Sequence, residues 1–179
     1  MSQNIELKAR IESIDRAVEV AERLSSKPAE WFEQKDTYFR VGKGRLKLRQ
    51  SPQLGDELIF YHRESASGPR GCRYFRQPTD CAEQILELLQ RSCGSDVVVA
   101  KTRRLFWFKR VRIHLDDVRF LGSFLEFEAV LGESYEENGW DEQTGFEVVR
   151  RLRDEFQIAE KHLIGKSYRE LMLQADNDS

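Results

Sequence analysis

The feature that most constrains the fold is the alternation near the amino terminus, Asn4-Ile5-Glu6-Leu7-Lys8-Ala9-Arg10, which returns late in the chain as Leu125-Glu126-Phe127-Glu128. Successive side chains of a strand point to opposite faces. Asn4, Glu6, Lys8 and Arg10 therefore share one face, and Ile5, Leu7, Ala9 and Ile11 share the other. Glu126 and Glu128 pair in the same way opposite Leu125 and Phe127. Carboxylates and cations on one strand face fit a site for a metal ion and a polyanion. The ordinary alternative is a solvated sheet face.

More strands of this kind follow. A tight turn at Gly42-Lys43-Gly44 leads into Arg45-Leu46-Lys47-Leu48-Arg49, which alternates strictly. Further strands are expected through Asp36-Thr37-Tyr38-Phe39, from Glu57 to Arg63, from Arg73 to Arg76, and over 96–108, 110–118 and 123–131. Ile14, Ala17, Val18, Ala21 and Leu24 fall at helical spacing within 13–25, with Ser13 or Asp15 as caps. A second helix over 79–92 carries Ile85, Leu86, Leu88 and Leu89, and a helical region spans 141–173. Polar loops are expected at 64–69 and 132–140. The pattern implies one α+β domain over 1–175, dominated by antiparallel strands, with a polar tail at 176–179.

Composition removes several classes of function. With 179 residues the chain is long enough for a sizeable core, and 34% charged with 40% hydrophobic residues fits a soluble protein. A net charge of −2 gives no global support for nucleic-acid binding, so any cationic patch must be local. No apolar run approaches the ~20 residues needed to span a bilayer, and the polar amino terminus argues against a secretory signal. Cys72, Cys81 and Cys93 lack zinc-site spacing and read as free thiols of a cytoplasmic protein. His62, His114 and His162 are scattered, and His114 reads as structural.

The charged faces define the chemistry. Arg45, Lys47 and Arg49 share one face, Lys101 and Arg103 another, and Arg110, Arg112, His114 and Asp116 a third. Most of these cations are arginine, whose planar fork suits bidentate phosphate contacts. If the helices cover the outside of a rolled sheet, these faces turn inward around a lumen. Such a lumen would gather positive charge beside carboxylates able to hold Mg²⁺, which takes one or two carboxylates together with phosphate oxygens and water.

In order and spacing these pieces resemble the CYTH domain family, also called triphosphate tunnel metalloenzymes, over nearly the whole chain. The family's Glu-x-Glu-x-Lys strand is met by Asn4-x-Glu6-x-Lys8, and its Asp-Thr-Tyr-Phe strand by Asp36 to Phe39. Arg45, Lys47 and Arg49 match its Arg-x-Lys-x-Arg strand. Lys101-x-Arg103, Arg112-x-His114-Leu115-Asp116, the run Leu121 to Glu128 and Ser167-Tyr168-x-x-Leu171 follow in order. The Leu-Asp and Ser-Tyr segments look most similar to the class IV adenylyl cyclase branch.

The resemblance implies an eight-stranded antiparallel β-barrel forming a tunnel, with helices packed outside. It implies metal ligands at Glu6 and Glu126 with Glu128 assisting, and Mg²⁺ or Mn²⁺ as cofactor. Lys8, Arg10, Arg45, Lys47, Arg49, Arg63, Lys101, Arg103 and Arg112 would hold a triphosphate, and Arg73 would supply the basic position of the fifth strand. Lys8 and Asp116 would act in catalysis. The substrate implied is ATP, thiamine triphosphate or inorganic tripolyphosphate, cyclised or hydrolysed, and a homodimer is implied for cyclase-like members. One departure is plain: Asn4 stands where the family has its first glutamate, removing a charge from the metal site. A non-catalytic triphosphate-binding module and a salt-bridged surface sheet are the rival readings.

Overall fold

A computed structural model describes residues 2–63, 68–131 and 140–177. The loops expected at 64–69 and 132–140 and the tail at 176–179 therefore fall largely outside the described residues. Eight strands are present: β1 (Ser2–Arg10), β2 (Glu30–Phe39), β3 (Arg45–Gln50), β4 (Asp56–Arg63), β5 (Arg70–Thr79), β6 (Ser95–Phe108), β7 (Val111–Val118) and β8 (Gly122–Val130). They close into a barrel in the order β1-β5-β4-β3-β2-β6-β7-β8. Every neighbouring pair is antiparallel. The eight-stranded antiparallel barrel expected above is the observed fold.

The barrel is inverted relative to most, with its apolar layer outside. Ile5, Leu7 and Ala9 of β1, Ile113 and Leu115 of β7, and Leu125 and Phe127 of β8 are buried under helices α1 (Ile14–Leu24) and α3 (Glu142–Glu155). Ala17 and Ala21 of α1 and Val149 and Leu152 of α3 form the facing stripes. Gly145 lets α3 approach closely, since a Cβ there would lie 2.9 Å from Ile5 Cγ1. Helix α2 (Ala82–Ser92) covers Phe39 and Leu48 in a smaller cluster. Capping follows the sequence signals: Ser13 Oγ accepts from Arg16 N–H, and the Asp141 carboxylate accepts from Thr144 N–H. The carboxy-terminal helical region divides into α3, a 3-10 turn at Glu160–His162 and α4 (Tyr168–Asn177).

Strand directions give the bore two different ends. β1, β2, β3, β5, β6, β7 and β8 contribute charged side chains to the interior, and at one end that interior is filled by Tyr38, Val97, Val99, Val118, Phe124 and Tyr168. Ile164, Leu171 and Met172, from α4 and the segment before it, pack on this plug. The helix is fastened there by a reciprocal cap, in which Ser167 Oγ donates to Glu170 and accepts from Glu170 N–H. Ion pairs from Arg45 to Glu170 and from Arg169 to Asp96 hold it to the barrel wall.

Candidate active site

A cavity of about 270 Å³ occupies the rest of the bore. It lies near the lower end of the ~300–1,000 Å³ typical of small-molecule sites. Lys8, Lys47, Arg49, Lys101, Arg103 and Arg112 line it, together with Glu6, Glu126 and Glu128. The inward parity of β1, β3, β6, β7 and β8 therefore brings these nine expected residues to one place. A larger groove of about 760 Å³ crosses the outer face near Glu33, Lys35, Gln50, Asp56, Thr102 and Asp117. Its lining mixes acidic and basic side chains with Pro52 and Ala100.

Around the Lys47 side of the bore, the buried Asp36 acts as an anchor. Lys47 Nζ donates to Asp36 Oδ2 at 2.7 Å, Arg49 Nε to Oδ1 at 2.7 Å, and Lys101 Nζ lies 3.5 Å from Oδ2. Burial alone would raise the Asp36 carboxyl, but Arg49, Lys47 and Lys101 together hold it well below the usual carboxylate range. Burial, with Arg49 as the next cause, pushes Lys47 down to about 7 despite Asp36. Burial likewise pushes Lys101 down to about 8.

The opposite side is built on β7 and β8. Lys8 Nζ lies 2.7 Å from Glu126 Oε1, and Arg103 Nη2 donates to Glu126 Oε2 at 2.7 Å. Arg112 pairs with Glu128 at 3.0 Å. Asp116 is fully buried and does not line the cavity; it accepts from Arg103 at 2.6 and 2.5 Å and from the Tyr168 hydroxyl at 2.9 Å. Burial would raise both glutamates, but Lys8 leads in holding Glu126 well below its ordinary value, and Arg112 leads in bringing Glu128 to about 2. Burial first, then Arg103, lowers the His114 imidazole.

Several expected residues lie elsewhere. Arg10 has the inward parity but sits beyond the plug, exposed, donating to the Leu121 carbonyl at 2.6 Å and stacking 4.7 Å from the Phe124 ring centroid. Arg45 also lies at the plugged end and is committed to Glu170 at 2.8 Å. Arg73 is exposed on the outer face, because β5 turns Cys72, Tyr74 and Arg76 inward. The basic positions of the fifth strand are thus Arg70 and Arg76. Arg70 is 2% exposed and donates to Glu6 Oε1 at 2.9 Å, while Arg76 is bonded to Glu57 at the cavity edge. Arg63 ends β4 opposite Cys72, and its side chain lies outside the described set.

The residues present suit a divalent cation. His114, Glu126 and Glu128 each offer a ligand atom, all within 4.8 Å of one another. Asn4, 3% exposed and lining the same cavity, has a side-chain oxygen with no hydrogen-bond partner. Buried polar atoms are normally satisfied, so this cavity retains unspent donors and acceptors for a ligand.

The model of the CYTH domain matches residues 2–166, and the chain belongs to that family. No curated protein sequence matches it. Among solved structures it is similar to a Pyrococcus horikoshii protein at 22% identity and TM-score 0.78, with 94% of this chain and 98% of that one covered. It is also similar, at 18% identity and TM-score 0.69, to a Vibrio parahaemolyticus protein named as an adenylate cyclase candidate, with 94% and 97% covered. A Hippeastrum protein named as an adenylyl cyclase candidate, and described as having a dominant triphosphatase activity, aligns at 12% identity and TM-score 0.64, with 98% and 96% covered. At these identities the likeness concerns the fold.

Proposed function

We propose that this protein is a divalent-metal-dependent enzyme that binds a triphosphate in the bore of its barrel, with ATP cyclised to cyclic AMP and pyrophosphate as its reaction. The observation that carries this reading is the convergence of the expected Lys8, Lys47, Arg49, Lys101, Arg103 and Arg112 with Glu6, Glu126 and Glu128 on one cavity. The triphosphate would lie against Lys47, Arg49 and Lys101, with Arg103, Arg112 and Lys8 turning to it from their carboxylates. Glu126 and Glu128, with Glu6 nearby, would hold the Mg²⁺ or Mn²⁺. Bound there, the cation would neutralise charge that develops on the phosphate oxygens.

Each residue then has a physical task. Asp116 positions Arg103, and Asp36 holds Lys47, Arg49 and Lys101 together at one wall. Lys8 supplies an ammonium where charge builds on the leaving group. In cyclisation the ribose 3′-oxygen bonds to the α-phosphorus as the bond to pyrophosphate breaks. Catalysis of this kind depends on placement and fixed charge. An organic triphosphate is favoured because Phe32, Leu54, Leu105 and Trp107 line the same cavity as the cations. An inorganic chain would leave that apolar surface uncovered.

Hydrolysis of the triphosphate is the second reading, favoured by the triphosphatase activity described for the Hippeastrum relative. Incubation with ATP, thiamine triphosphate and tripolyphosphate, each with Mg²⁺ or Mn²⁺, separates the two. Cyclic AMP with pyrophosphate supports cyclisation, and orthophosphate supports hydrolysis. Tight triphosphate binding with no product under either metal would defeat the enzyme reading and leave a binding module. In that event turnover gained by Asn4→Glu would assign the loss to the missing carboxylate.

A further inference from the structure

The resemblance assigns the glutamates of the bore to a metal ion but gives no role to the histidine beside them. His114 lies opposite Glu126 in the β7–β8 register, on the inward face, and is 4% exposed. Its Nδ1 is 3.9 Å from Glu126 Oε2 and 3.7 Å from Glu128 Oε1. Both separations are too long for a hydrogen bond, and Nδ1 is buried with no partner. A structural histidine would ordinarily have that nitrogen satisfied by a neighbour. Here it faces two carboxylates across a gap of the size that a coordinated ion spans. Glu6 and Asp116, the other carboxylates of this region, are engaged by Arg70 and by Arg103 with Tyr168.

We infer that His114 Nδ1 is a ligand to the divalent cation, alongside Glu126 and Glu128, and that the site therefore prefers Mn²⁺ to Mg²⁺. The inference rests on the proposed use of a divalent cation in the bore. Mg²⁺ is a hard ion that demands oxygen ligands in a near-ideal octahedron. Imidazole nitrogen suits first-row transition ions, and Mn²⁺, although it shares the oxygen ligands of Mg²⁺, is the transition ion of the pair. An all-carboxylate site would serve Mg²⁺ equally well, so the histidine is what gives this chain its selectivity. The cation must also displace Lys8, Arg103 and Arg112 from the glutamates, and a bound triphosphate gives those three side chains another anion to contact. Metal and triphosphate binding should therefore reinforce each other.

The test reads binding directly and needs no turnover. Mn²⁺ and Mg²⁺ are titrated separately into the wild type, His114→Ala and His114→Gln, with thermal unfolding as a check that each variant folds. Bound Mn²⁺ is then examined by pulsed electron paramagnetic resonance for coupling to a nitrogen nucleus. The wild type should bind Mn²⁺ roughly tenfold or more tightly than Mg²⁺, and both variants should lose about that factor for Mn²⁺ alone. The nitrogen coupling should be present in the wild type and absent from folded variants. Equal weakening of both metals, undiminished Mn²⁺ binding in the variants, no Mn²⁺ binding by the wild type, or no nitrogen coupling would each overturn the inference. A protein that shows the coupling yet turns over no triphosphate would instead refute the proposed function and leave the ligand set standing.

Discussion

On the side of the bore formed by β2 and β3, one buried carboxylate, Asp36, serves three cations, Lys47, Arg49 and Lys101. Across the bore, Glu126, Glu128 and Asp116 meet Lys8, Arg103 and Arg112, so carboxylates and cations are equal in number. The same strand parity built both sides, but their charge balance differs. The first has surplus positive charge in a low-dielectric setting, which favours a polyanion. The second is already balanced and gains from a further cation only when phosphate draws its own cations away. A single cavity can thus sort two opposite ligands onto two walls.

The largest effect should come from breaking the first wall. Asp36→Asn would leave three buried cations without their carboxylate, and loss of one partner of a buried pair costs on the order of 3 kcal/mol or more. Glu128→Gln should cost about 1–2 kcal/mol, because Arg112 and Glu128 are partly reached by solvent. Urea unfolding of both variants measures the difference, and equal losses would break the comparison. Tripolyphosphate should restore more stability to Asp36→Asn than to the wild type, since it replaces the missing negative charge.

Function should divide along the same line. Arg49→Ala removes a charge-assisted phosphate contact worth about 1.5–3 kcal/mol, or roughly 10–100-fold in triphosphate affinity. Glu126→Gln should abolish metal-dependent turnover without weakening triphosphate binding, because it releases Lys8 and Arg103. Calorimetric titration of tripolyphosphate beside product assays checks both. If both variants lose affinity alike, the two walls are not distinct.

The dependence on pH is smaller and has a definite sign. Lys47 has its proton affinity lowered to about 7 and Lys101 to about 8 in the free protein. A lysine whose folded value lies below its unfolded value makes the folded state less favourable while protonated. Stability should therefore rise as pH increases from about 7 toward 10. Phosphate binding requires the charged forms, so tripolyphosphate affinity should fall over pH 7–9, by at most about tenfold per unit for each lysine. Lys47→Met should flatten the lower part of that curve. A wild-type affinity constant over this range would contradict the picture.

The smallest effects should come from Arg10→Ala and Arg73→Ala. One side chain lies beyond the Phe124 plug and the other on the outer face, so tripolyphosphate affinity should stay within about twofold. These two arginines also mark what the sequence made legible. Strict alternation in Arg45 to Arg49, and in the Glu126 and Glu128 strand, fixes which face is polar, while the closed eight-stranded barrel was implied by the family resemblance. Alternation does not say how deep along the bore a residue lies. Arg10 and Arg45 have the correct parity, but the plug under α4 separates them from the cavity. In β5, Arg70, Arg73 and Arg76 are spaced by three, so the middle one must face away from the others. Pairing with Glu6 across β1 sets that register, and it is a long-range contact. His114 shares a charged face with Arg112 and Asp116 in the sequence, but its nearness to Glu126 and Glu128 was not legible because they come from another strand.

The central claim is that one cavity holds phosphate and metal on opposite walls. Crystals of the protein grown with tripolyphosphate and Mn²⁺, with diffraction recorded at the manganese edge, test it most directly. The account predicts an anomalous peak against Glu126 and Glu128, with phosphates against Lys47, Arg49 and Lys101. A manganese peak at Asp36, or a triphosphate bound outside the bore, would contradict it.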